Sequence, residues 1–166
     1  MNKIIKGVFL AAVMCIAATG CDKLEELAGM KSDPLPAKNL VAEKETAKEL
    51  VKWVKAFGKE TDMQHEEAFK KLKGKTVVFK GTVRDVGKTM IEETPYVSLK
   101  VGKIDMLQDL NIQFNFGKKD IATIGKWNKG ETHAIRGRIA EIGDLEDDAK
   151  CEAAESVSVE EYDAAK

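Results

Sequence analysis

Apolar residues along this chain change their spacing twice, and each change marks a new kind of element. Gly7 to Ala18 is a 12-residue apolar stretch broken only by glycine. From Ala47 the apolar positions fall at intervals of three and four: Leu50, Val51, Val54 and Phe57. Lys and Glu lie between them, so the spacing predicts an amphipathic helix over 43–58, with Gly58 as its stop. Thr61 with Gln64 reads as a capping box. Ala68, Phe69 and Leu72 then give a second short helix ending at Gly74.

From Lys75 the period becomes two, which predicts strands. Val77, Phe79, Gly81 and Val83 share one face of a long first strand, and Gly81 in its middle predicts a bend or close backbone approach. Val97, Leu99 and Val101 mark a second strand after Pro95. Leu110, Ile112, Phe114 and Phe116 mark a third, alternating with Asn111, Gln113 and Asn115. A short helix follows within 118–127, then a turn at Asn128-Lys129-Gly130. Ile135, Gly137 and Ile139 form a fourth strand, and an acidic loop leads to a weak fifth at Val157 and Val159. Three strands, a helix and two strands is the order of the OB-fold, a five-stranded Greek-key barrel. The expected class is mainly β with helices (α+β), the barrel being preceded by an N-terminal helical segment.

The first 20 residues carry a different signal. Lys3 and Lys6 precede the apolar run, and Ala18-Thr19-Gly20-Cys21 places small residues ahead of a cysteine, as a bacterial lipoprotein signal peptide does. The run is shorter than the roughly 20 residues a bilayer span needs. Cys21 is thus the expected lipidation site, carrying a diacylglyceryl group and an amide-linked chain such as palmitate. Ordinary secretion with cleavage near Ala18, or a retained signal anchor, are the rival readings. The expected layout is a signal peptide at 1–20, the lipidated cysteine and a flexible tether at 21–42, and two short helices at 43–73. The barrel follows at 74–160 and a C-terminal tail at 161–166. The expected location is the bacterial cell envelope, outside the cytoplasm and anchored by lipid. Asp22 directly after the cysteine favours inner-membrane retention where that rule applies.

Composition narrows the chemistry. The mature chain has 25 basic and 28 acidic residues, a mildly acidic mixture unlike the clustered Lys and Arg that phosphate binding uses. With Cys15 removed and Cys21 acylated, Cys151 remains, so no internal disulfide is expected, and its bland role is a small buried residue. His65 and His133 have no serine, cysteine or carboxylate constellation around them. Asp144, Glu146, Asp147 and Asp148 lack the spacing of a calcium loop. No catalytic residue, metal or cofactor is expected.

Two stretches resemble a known family. The run from Ala68 to Val83 (AFKKLKGKTVVFKGTV) has a short helix, a KGK turn and a strand ending in GTV. Lys129-Gly130-Glu131 followed by Ile135-Arg136-Gly137-Arg138-Ile139 has the second pattern. Together, over roughly residues 65–160, they resemble the bacterial tRNA-anti-like OB-fold proteins. That resemblance implies the barrel and places Cys151 where such proteins often open the last strand. It also implies kinship with exported lipoproteins, in a family named for the anticodon-binding domain of synthetases.

OB-folds bind through the outward surface of strands two and three. Here that surface is expected to be Tyr96, Ser98, Lys100, Asn111, Gln113 and Asn115, with Lys80 and Arg84 beside it. Arg136 and Arg138 are expected on the outward row of strand four, and Tyr96 is the aromatic platform among these rows. The set suits hydrogen bonding to a protein, a peptide or a polysaccharide of the envelope, through a non-catalytic binding module. A nucleic-acid-binding barrel, an envelope hydrolase whose site assembles only in three dimensions, and a structural lipoprotein that assembles a larger complex are the alternatives.

Overall fold

The computed structural model describes residues 33–57, 59–90, 92–106, 108–143 and 148–166. Helix α1 spans Leu40–Ala56. It starts three residues before the periodic stretch because Asn39 caps it: the Asn39 side chain accepts from the Ala42 N–H, and Glu43 reaches back to the Asn39 N–H at 3.3 Å. Helix α2, Asp62–Lys70, opens on the expected capping box, with Thr61 and Gln64 each accepting from the other's backbone.

The five strands are β1 Thr76–Lys88, β2 Pro95–Lys103, β3 Asp109–Phe116, β4 Thr132–Ile142 and β5 Ala149–Val157. A 3-10 turn, Lys118–Asp120, and the single-turn helix α3, Ile121–Ile124, stand between β3 and β4. The strands close into a barrel in the order β1-β2-β3-β5-β4, with β3 and β5 parallel and every other pair antiparallel. This is the expected OB barrel. A Cβ at Gly81 would lie 2.6 Å from the Lys100 carbonyl oxygen, so β1 and β2 touch there as no other residue would allow.

Inward positions fill the barrel. Val77, Phe79, Val83, Val97, Leu99, Ile112, Phe114, Ile135, Ile139 and Cys151 are buried together. α1, α2 and the turn after α2 close the mouth where β1 begins, adding Leu50, Trp53, Val54, Phe69 and Leu72 to the same core. Trp53 is buried within this cap, donating from Nε1 to the His65 carbonyl at 2.9 Å. Cys151 is fully buried, as its bland reading expects, and burial pushes its thiol pKa well up.

The fifth strand differs from the sequence expectation. Its run begins at Ala149, inside the stretch read as an acidic loop, and ends at Val157. Val159 belongs instead to helix α4, Val159–Ala164, capped by Ser158. The strand is hard to read because its core residues, Ala149, Cys151 and Ala154, are small. A backbone irregularity at Ala153 (φ 51°) also spaces them by two and then three.

The outer wall of β1, β4 and β5 is covered rather than open. Leu40, Val78, Ala134 and Val157 form a second apolar cluster under Tyr162 and Ala165. Arg136, expected on an outward solvent row, is 2 % exposed. It lies beneath α1, where it meets the buried Glu43 carboxylate, Glu155 at 2.6 Å and the Pro36 carbonyl at 3.1 Å. Arg138 donates to the Pro34 carbonyl. Lys44 donates to the carbonyls of Tyr162 and Ala165, so the residues expected as a tail are fastened across α1. No helix among the described residues is long and apolar enough to cross a membrane.

Candidate binding face

With β1, β4 and β5 roofed on part of their outer wall, β2 and β3 carry a second outward row, in which Lys100 is exposed, Tyr96, Asn111 and Asn115 are half-buried, and Ser98 and Gln113 are buried. Antiparallel pairing sets Tyr96 opposite Asn115, Ser98 opposite Gln113 and Lys100 opposite Asn111. Their parity is opposite to Val97, Leu99, Ile112 and Phe114, so these six side chains share the outer surface. The structure thus brings together the six residues expected from alternation.

Tyr96 is the most defined of them. Its ring lies over Gly87 of β1, where a Cβ would come within 2.9 Å of the phenol oxygen. Its hydroxyl donates to Asp85 Oδ2 at 2.8 Å, and Lys129 Nζ sits 2.9 Å from the other Asp85 oxygen. The Lys129 ammonium and, to a lesser degree, the Tyr96 hydroxyl hold the Asp85 carboxyl below the usual range against partial desolvation. Asp85, Gly87 and Lys129 therefore fix the aromatic ring, and the outward parity assigned to β1 did not include them. The reason is a bulge between Val83 and Asp85 that makes Asp85, rather than Arg84, the partner of Ser98. Arg84 sits at the bulge itself, beside the row.

The remaining positions differ in how open they are. Ser98 is 2 % and Gln113 8 % exposed, so they form the floor of the face. Gln113 donates to Asn115 Oδ1 at 2.7 Å, and Lys100 is paired with Asp109 at 2.7 Å. Asn111 exchanges backbone bonds with Asp148, whose carboxylate accepts from its N–H at 2.8 Å, and its Oδ1 is buried without a partner among the described residues. Desolvation raises the Asp148 pKa. Lys80 does not belong to this group. It faces outward on the side of β1 next to β4, where both Asp163 oxygens take its ammonium at 2.8 Å.

A second aromatic stands at the β3–β4 end of the barrel. Trp127 stacks on His133 with centroids 3.9 Å apart and meets Phe116 edge-on. His133 in turn bonds Glu131 at 3.1 Å. Both histidines are thus stacked on tryptophan, His65 lying 4.2 Å from Trp53. Among the described residues no three His, Cys, Asp or Glu side chains come together as metal ligands. Cys21 lies outside the described residues.

No protein-family model and no curated protein matches this chain. Among solved structures it is similar to a presumed nucleic acid-binding lipoprotein from Klebsiella pneumoniae. The identity is 22 %, covering 55 % of this chain and 77 % of that one, with a TM-score of 0.43. It is also similar to RecG bound to a three-way DNA junction, at 16 % identity over 54 % of this chain but 12 % of that one, with a TM-score of 0.36. The barrel assignment rests on the strand order and pairing above, not on these likenesses.

Proposed function

We infer that the protein is a lipid-anchored module of the bacterial envelope whose barrel binds a protein, a peptide or a polysaccharide on the β2–β3 face, without catalysis. The observation that carries the reading is the Tyr96 row. An aromatic ring packs over Gly87 and is hydrogen-bonded to Asp85, and beside it stand amides and a lysine. A fixed ring flanked by amides suits a sugar face or a peptide backbone. Single-stranded nucleic acid favours several stacking platforms in a basic groove. Here Lys100 and Lys129 are each paired with an aspartate. The anchor is supported by the signal ending at Cys21, and the tRNA-anti-like resemblance agrees with an exported OB barrel.

Two experiments test this. A photo-crosslinking residue at position 100, on the face, should give adducts in intact cells that the same residue at position 118, beyond β3, does not. Equal adducts from both positions, or salt-sensitive oligonucleotide binding at sub-micromolar concentration, would replace this reading with a different surface or with the nucleic-acid one. For the anchor, Cys21→Ser should abolish metabolic acyl labelling.

A further inference from the structure

The helical cap differs in charge from the barrel it closes. Residues 49–75 hold seven lysines against five acids, whereas residues 76–166 hold 13 basic against 17 acidic side chains. Lys52, Lys55 and Lys59 are exposed along the end of α1 and the elbow leading to α2, and none is in an ion pair among the described residues. Two large apolar side chains stand out of the same elbow, Phe57 at 74 % and Met63 at 77 % exposure. Phe57 is held there by an edge contact with His65, which stacks on the buried Trp53.

Pro34 also lies at this end. The Pro34 carbonyl is held by Arg138, whose backbone partner is Thr76 at the start of β1, and Gly74 donates to Ile139 next door. The incoming chain and the α2–β1 junction therefore lie side by side, at the mouth that α1 and α2 close. Twelve residues separate Cys21 from Pro34. Fully extended they reach about 43 Å, which is the upper limit on the distance between an acyl group on Cys21 and Pro34.

Resting on the lipoprotein reading, we propose that the α1–α2 elbow docks on an anionic phospholipid surface. Phe57 enters the headgroup–acyl boundary, Met63 sits at its margin, and Lys52, Lys55 and Lys59 lie against the headgroups. Of the five acids of this stretch, Asp62, Glu66 and Glu67 fall on α2 beside Met63, Glu49 on α1 is paired with Lys75, and Glu60 stands in the elbow 3.8 Å from His65 Nδ1. Asp148 is at the same end but across the mouth, on the β3 side, which confines the contact to the elbow. The β1–β2 loop at the opposite end of the barrel then points away from the membrane.

The test uses the mature chain from residue 21 with Cys21→Ser, so that no acyl chain contributes. It should sediment with vesicles of phosphatidylcholine containing about 30 mol % phosphatidylglycerol, an anionic surface, and not with phosphatidylcholine alone. Replacing Lys52, Lys55 and Lys59 by Gln should weaken binding about a hundredfold, near fivefold per charge. Phe57→Ser should weaken it about tenfold, and raised salt should abolish it. All four side chains are exposed, so both variants should keep the parent's thermal transition. Absence of sedimentation with anionic vesicles, or affinity unchanged in both variants, overturns the proposal. The lipoprotein reading is decided separately by acyl labelling of the Cys21 protein in cells.

Discussion

Arg136→Met should destabilise the protein more than any exposed charge change, because of what it leaves behind. The Arg136 and Glu43 side chains are 3 % and 5 % exposed, and their contact joins α1 to the outer wall of β4. Glu43 has one other described partner, the Asn39 N–H at 3.3 Å. Removing the guanidinium strands a buried carboxylate, which costs about 3–5 kcal/mol in comparable sites. Removing Glu43 strands less, because Arg136 keeps Glu155 and the Pro36 carbonyl. Glu43→Gln should therefore cost about 1–2 kcal/mol, near the worth of one charged hydrogen bond. Glu155→Gln should cost under about 1 kcal/mol, since that carboxylate is 47 % exposed.

The pair itself need not be stabilising relative to apolar packing. Glu43→Leu with Arg136→Met should lie within about 1 kcal/mol of the parent, because the desolvation of both charges disappears together. Urea unfolding of all four variants, followed by tryptophan fluorescence and circular dichroism, measures these differences. For a folded unit of this size about 1 kcal/mol corresponds to about 4 °C in Tm, so Arg136→Met should melt about 12–20 °C lower. If Arg136→Met costs under about 1 kcal/mol, or if the double variant is as unstable as its parts combined, the buried pair is not what seats α1.

Three further outcomes are expected. Gly81→Ala should cost about 2 kcal/mol, because its methyl would meet the Lys100 carbonyl oxygen and force β1 from β2; chemical denaturation checks it. The Glu131 carboxyl is held at about 2 by the Asn128 side chain and backbone, with His133 adding to them. The stabilisation it gives the 128–131 turn is thus present above its ordinary value near 4.5 and lost as pH falls from there through about 2. Glu131→Gln should flatten that part of an acid-unfolding curve. Cys151, buried and with its thiol pKa pushed up, should react with a thiol reagent only as fast as the barrel opens, so labelling that outpaces global unfolding would contradict its placement.

The barrel was legible where side chains are large. Val77, Phe79 and Val83, then Leu110, Ile112, Phe114 and Phe116, alternate cleanly because each must fill an interior with no room for polar neighbours. Gly81 was legible for the same reason, as an empty place in a row of bulk. The pattern weakened wherever the outer wall is also buried. Val78 and Arg136 sit on outward positions, yet both are sealed under α1, and a strand covered on both sides no longer alternates. Neither α4 nor the fastening of Pro34 and Pro36 across β4 has a periodic signature, since both depend on lysine and arginine side chains meeting carbonyls far away in sequence.

The face was half legible, and its missing half has a local cause. Period two predicted the six positions of β2 and β3 because no irregularity separates Tyr96 from Lys100 or Asn111 from Asn115. On β1 the same count failed after Val83, where one extra residue turns Asp85 rather than Arg84 toward Ser98. The signal was present: Val83 and Val86 both pack on the core but stand three apart, a spacing that an uninterrupted strand does not produce. With the bulge placed, Asp85 falls within reach of the Tyr96 hydroxyl and Gly87 falls beneath its ring. The bulge is thus what brings Asp85 and Gly87 against the half-buried Tyr96 ring and fixes it. Without that bulge Arg84 rather than Asp85 would stand opposite Ser98, and the Tyr96 hydroxyl would lose its carboxylate partner.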